Sequence, residues 1–154
     1  MIIVIFDRTL QDVNNAIEIR NQKVQKGLSL TEEDIETLER GTLTIVTLNR
    51  IEDRQRELKN IFSDIGYWNV PITNKIWDYT QIFDEIEFER ILNNTNILKN
   101  AFFVYAETPN TPSVSYHYED INSLEKILFD LDVMINDVKS NYRICGTFEA
   151  GEDI

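Results

Sequence analysis

The stretch from Tyr118 to about Asn141 constrains this chain more than any other. Ile121, Leu124, Leu128, Leu131, Ile135, Val138 and Tyr142 recur at alternating steps of three and four, over three heptads. Only a helix places such positions on one side, and the resulting apolar stripe must be covered by other helices. The expected fold class is therefore mainly α. The spacing leaves open whether the seam packs within one chain or between copies.

The rest of the sequence supplies helices to cover it. Thr9 with Asp12 three places on has the spacing of a capping box, and Val13, Ala16 and Ile17 follow at helical spacing until Gly27, which predicts a helix over about residues 10–26. Thr31 and Asp34 repeat the box, flanked by Leu30 and Ile35 at the staple positions, and this second helix should end near Gly41. The β-branched run Thr42–Thr47 reads as a turn into a third helix carrying Leu48, Ile51, Leu58, Ile61, Phe62 and Ile65, stopped by Gly66. Residues 67–76 hold Pro71 and Asn74 and read as an irregular or hairpin-like connection. Asp84, with Glu87 three places on, starts a fourth helix whose apolar face is Phe88, Ile91, Leu92, Thr95, Leu98 and Phe102. Pro109 and Pro112 keep the next loop from being helical throughout.

Both ends look different. Ile2, Ile3, Val4, Ile5 and Phe6 are β-branched or aromatic, and Ile144 and Phe148 alternate with other residues in a tail that also holds Gly146 and Gly151. The expectation is a bundle of about five helices with a strand-like segment at each terminus. It divides into a domain over 1–143 and an extended tail over 144–154.

Charge and composition remove several function classes. Fifteen Lys and Arg face 27 Asp and Glu, for a net charge of −12. A nucleic-acid surface needs a basic stripe, and docking on anionic lipid needs the same sign, so neither partner is expected. The 42% of hydrophobic residues is enough for a core, which argues against wholesale disorder. The apolar opening run is only six residues long, has no basic flank and is followed at once by Asp7-Arg8. It reads as neither a signal peptide nor a membrane span, so a soluble protein made in a bacterial-type cytoplasm is expected, with no membrane insertion.

Candidate chemistry is sparse. Cys145 is the only cysteine and His117 the only histidine, so an intrachain disulfide and a Cys- or His-paired zinc site are excluded. His117 suits a capping or solvent role before the fifth helix, and Cys145 suits burial. Glu85 and Glu89 share a helix face, but i,i+4 neighbours do not oppose one another across a cleft as a glycosidase pair must. Asp130 and Asp132 flank Leu131 without a calcium-loop pattern, and phosphate-loop, dinucleotide and nucleophile-elbow motifs are missing. No catalytic residue, cofactor or metal is assigned. Tyr67, Trp68, Trp77 and Tyr79 form an aromatic stretch that reads as a satellite cluster under a loop, or else as a sugar- or partner-binding patch.

Several blocks resemble, in order, a family of small structural proteins encoded with the tail genes of phages and prophages of Gram-positive bacteria. They are Phe6-Asp7-Arg8-Thr9 with Asp12-Val13, Leu30-Thr31-Glu32-Glu33, and Leu48-Asn49-Arg50-Ile51-Glu52 ending at Ile65-Gly66-Tyr67. Glu89-Arg90-Ile91-Leu92-Asn93-Asn94, the stretch from Tyr118 to Leu128, and Gly146 to Glu152 complete the set. His117 at the fifth helix's cap and Leu38 in the second helix depart from the family pattern. The resemblance implies a virion structural protein of a baseplate, tail fibre, fibre attachment or tail-like bacteriocin. Its implied partners are other tail, baseplate or fibre subunits and further copies of itself, and it carries over no catalytic residues. An accessory cell-wall hydrolase and an acidic anti-host regulator outside the virion are the alternatives. Assembly is expected at the chain ends, through Ile2, Ile3, Val4, Ile5, Phe6, Ile144, Phe148 and Gly151 as free strand edges.

Overall fold

The computed structural model describes residues 5–67, 69–113 and 117–145, the last four of these by their backbone. Among the described residues are five α-helices: α1 (Leu10–Gln22), α2 (Glu32–Gly41), α3 (Ile45–Asp64), α4 (Glu85–Ala101) and α5 (Tyr118–Cys145). A short 3₁₀ turn, Val24–Lys26, follows α1. No strand occurs among the described residues.

Helix starts follow the local chemistry. Thr9 and Thr31 each accept from the third backbone N–H onward, and Asp12 and Asp34 each return a bond to the cap's own N–H, closing both capping boxes. Asp84 caps α4 by accepting from the Glu87 N–H at 3.0 Å. Its return bond is missing, because the Glu87 carboxylate is taken by Lys75 and Arg90. α3 begins at Ile45, where Thr44 caps it, so the turn expected over 42–47 shrinks to three residues.

The glycines act in two ways. Gly66 ends α3 at φ 96°, and the Tyr67 N–H reaches back to the Phe62 carbonyl at 2.8 Å, a left-handed cap that a side chain would strain. Gly41 is instead the last residue of α2 and has no positive φ. A Cβ there would lie 2.1 Å from the Asp12 carbonyl oxygen and 2.5 Å from the Ala16 Cβ. Close approach of α2 to α1 requires glycine at this point.

α1 and α2 form a hairpin, while α3, α4 and α5 pack mutually around the apolar core. The seam of α5 thus packs within the chain. Ile121, Leu124, Leu128, Leu131 and Ile135 are buried as expected, but Val138 is 37% exposed, so the buried seam stops one step earlier. Ile127, beside the stripe, is fully buried because two helices rather than one cover α5.

The strand-like ends need correction where they are described. Ile144 lies inside α5, which runs four residues past Asn141 to Cys145. Extending an existing helix adds one bond per residue fixed, and the first glycine after Asn141 is Gly146, so β-branching at Ile144 does not stop it. Ile5 and Phe6 are half-buried and belong to no strand. Ile2, Ile3, Val4, Phe148 and Gly151 lie outside the described residues.

Candidate functional site

Residues 5–9 belong to no helix or strand and are held by side chains of α5. Asn122 Oδ1 accepts from the Arg8 backbone N–H at 3.2 Å, and its Nδ2 donates to the Arg8 carbonyl at 2.9 Å. The Phe6 ring stacks at 5.1 Å from Phe129, with the Lys126 ammonium about equally near both rings. The Arg8 side chain is buried and bonds Glu125 at 2.6 Å, and Arg50 meets the other Glu125 oxygen at 2.9 Å. Two guanidinium groups thus share one fully buried carboxylate, and Arg8 Nη2 has no partner among the described residues.

The connection between α3 and α4 is held in the same way. Asn49 Oδ1 accepts from the Trp77 N–H at 2.7 Å, and its Nδ2 donates to the Trp77 carbonyl at 2.9 Å. Asn94 does the same for Thr73, at 3.3 and 2.7 Å. Between them the Lys75 N–H donates to Glu52 at 3.1 Å. Residues 73, 75 and 77 therefore turn their main-chain groups toward the helices, as a strand turns them toward its neighbour. An asparagine amide carries one acceptor and donors side by side, which matches the N–H and C=O of one extended residue. Three asparagines on α3, α4 and α5 stand in for the sheet that the chain lacks in these places.

Glu52 is the centre of this network. It is fully buried, receives two bonds from the Arg90 guanidinium and others from Asn74, the Lys75 N–H and the Trp77 indole. Burial alone would raise its carboxyl, but the bonds from Arg90, Asn74 and Lys75 outweigh this and hold it below its ordinary value. Gln55, also fully buried, adds bonds to the Ile91 carbonyl and to Thr95. On α5, the buried Asp130 accepts from Thr108 at 2.7 Å and pairs with Lys126, while Asp132 pairs with the buried Arg54. The buried carboxylates of the bundle are thus engaged in holding loops and helices together.

The other candidates fall apart in space or in role. The His117 side chain is exposed, and its backbone carbonyl accepts the first N–H bonds of α5. It borders a cavity of about 360 Å³ between the hairpin and the start of α5, lined mainly by aliphatic groups such as Leu10, Val13, Leu43 and Ile121. Arg8 also borders it, but the unpartnered Nη2 is sealed from solvent. Among the described residues no cluster of three potential metal ligands occurs, and no helix is long and apolar enough to cross a membrane.

The aromatic stretch splits. Trp77 is 4% exposed and belongs to the main core rather than to a satellite cluster, meeting Phe83 edge to face at 5.5 Å, which in turn meets Phe88 at 6.0 Å. Tyr67 is partly exposed but touches Phe62 and Phe102, whereas Tyr79 is 94% exposed. Trp68 lies outside the described residues. The asparagine clamps were missed in the sequence, although Asn94 beside Thr95, on the face carrying Ile91 and Leu98, was a signal: a polar residue where a helix faces its core.

Fold and site together define a mainly helical bundle whose polar network secures its own extended segments. Comparison with protein-family models, with curated proteins and with solved structures returned no match.

Proposed function

We propose that this chain is a virion structural protein of a phage tail, at the baseplate, tail fibre or fibre attachment, acting by docking to neighbouring subunits and to copies of itself. Two lines support this reading. The ordered sequence blocks from Phe6 to Glu152 resemble those of tail-encoded structural proteins. The observation from the fold that carries it is the use of the buried ionisable groups. Glu52, Glu125 and Asp130 are each tied to arginine, lysine or threonine within the framework, and none of the three lines the cavity beside His117. Such a network gives rigidity to a part whose work is assembly.

The test is quantitative proteomics of purified particles. A stoichiometric amount relative to known tail subunits is the expected result. A chain abundant in infected or induced cells but missing from particles would overturn the reading and favour the acidic regulator.

A further inference from the structure

Four of the five most exposed large hydrophobic residues among those described lie within eleven positions: Ile76 at 72%, Tyr79 at 94%, Ile82 at 84% and Ile86 at 73%. They stand on a stretch that is anchored on both sides. Asn49 and Glu52 grip it at Lys75 and Trp77. Trp77 and Phe83 turn inward and meet edge to face, and the Gln81 N–H closes a turn on the Asp78 carbonyl at 3.3 Å. With Trp77 and Phe83 committed to the interior, Tyr79 and Ile82 are held outward. Apolar groups presented this way lose little freedom on docking, which favours their use as anchors.

The charge carried by the stretch itself has one sign, and Lys75 at its edge is committed to Glu87. Residues 76–89 contain Asp78, Asp84, Glu85, Glu87 and Glu89 and no lysine or arginine. Glu87 is neutralised by Lys75 and Arg90, while the other four are exposed. A second copy meeting this face through the same residues would bring like charge against like charge.

We propose that the stretch Ile76–Ile86 is a docking knob for a different protein subunit, one that offers an apolar pocket rimmed by lysine or arginine. The inference rests on the subunit-docking reading above and adds to it the surface and the chemistry of the partner. Tyr79 and Ile82 enter the pocket, Ile76 and Ile86 flank them, and Asp78, Asp84 and Glu85 meet the basic rim. The basic rim sets orientation and encounter rate, while the apolar groups carry the affinity.

The experiment places a photo-crosslinking benzoylphenylalanine at position 79 of the full chain in producing cells, with the same group at Glu18 on α1 as a control. Particles and soluble fraction are examined separately. The expected result is an adduct from position 79, and not from position 18, with one other protein, mapped to a peptide neighboured by lysine or arginine. Raising sodium chloride from about 0.05 to about 0.5 M, which shortens the screening length several-fold, should lower the yield. Ile82→Ser should lower it at least about tenfold while circular dichroism stays unchanged, the loss expected of a buried anchor. No adduct, an adduct with a second copy, an adduct at a site without basic neighbours, or one indifferent to Ile82→Ser would each overturn the proposal. If the chain is missing from particles but the soluble fraction gives the expected adduct, the tail reading fails and the knob stands. If the chain is in particles without the adduct, the knob fails and the tail reading stands.

Discussion

In the α1/α2 hairpin, Ala16 is the only buried apolar side chain, and Leu10, Ile17 and Ile35 are 59%, 39% and 46% exposed. In the α3/α4/α5 bundle, Leu58, Phe62, Leu98, Leu124 and Leu131 are fully buried. The hairpin is held by two capping boxes, by Arg40 bridging to Asp7 and Asp12, by Lys23 on Asp34, and by Gly41 seated against α1. Partly exposed ion pairs of this kind contribute roughly 0–1 kcal/mol each, and a cap about 0.5–2 kcal/mol. A fully buried leucine contributes about 1.5–3 kcal/mol, and the bundle holds many such side chains where the hairpin holds one alanine. The bundle should therefore carry the cooperative stability, and the hairpin should open locally at lower cost.

The largest expected effect lies in the bundle. Leu131→Ala should cost ~2–5 kcal/mol, the range for a leucine whose cavity the surroundings only partly fill. Asn136→Ala, at an exposed position of the same helix, should stay within about 0.5 kcal/mol. Asp132 is unsuitable as that control because its loss would strip a partner from buried Arg54. Denaturant midpoints of the two variants measure the difference, and equal small losses would mean that the seam is not the core.

Gly41→Ala sharpens the contrast. Its Cβ would collide with the backbone of α1 rather than with a movable side chain. We expect a loss of about 1–3 kcal/mol, as for other overpacked positions, confined to the hairpin. Native-state hydrogen exchange should show faster opening over 10–41 and unchanged protection in α3 and α5. A fall in the global midpoint as large as for Leu131→Ala would show that the two regions unfold as one unit.

The smallest effect is acid sensitivity. Asp34 is held down to about 2, first by its bond from Lys23 and then by the Thr31 backbone and hydroxyl. Asp12 is lowered by the same Thr9 contacts and by Arg40. A depressed carboxyl stabilises the fold above its unfolded value, about 3.9 for Asp, and the contribution is lost as pH falls through the folded value. Between about pH 4 and pH 2, then, amides at the start of α2 should lose protection, and those at the start of α1 should follow the same direction as acid is added. Asp34→Asn should remove most of this pH dependence at α2. A pH-independent α2 in the unmodified chain would contradict the assignment of its cap.

What the sequence determined by itself was local. Thr9 with Asp12, Thr31 with Asp34, and Asp84 before α4 marked helix starts, because a cap needs only a side chain within three residues of the amide it serves. Gly66 marked a stop because its positive φ is a property of one residue. The heptad steps of α5 marked a buried face because helical geometry alone aligns them. Tertiary structure decided where polar residues went and what became of extended chain. Arg8 meets Glu125 across more than a hundred residues, and Asn49, Asn94 and Asn122 find Trp77, Thr73 and Arg8 only once three helices have packed. Gly41 ends α2 as its sequence position indicated, but that it is also a point of contact with α1 emerges only from the packing, because only the neighbouring helix shows what a side chain would strike. Ile5 and Phe6 looked like a strand, and residues 67–76 like a hairpin-like connection. Extended chain needs a partner for its N–H and C=O groups, and no residue pattern along one segment reveals whether a strand or an asparagine will supply it.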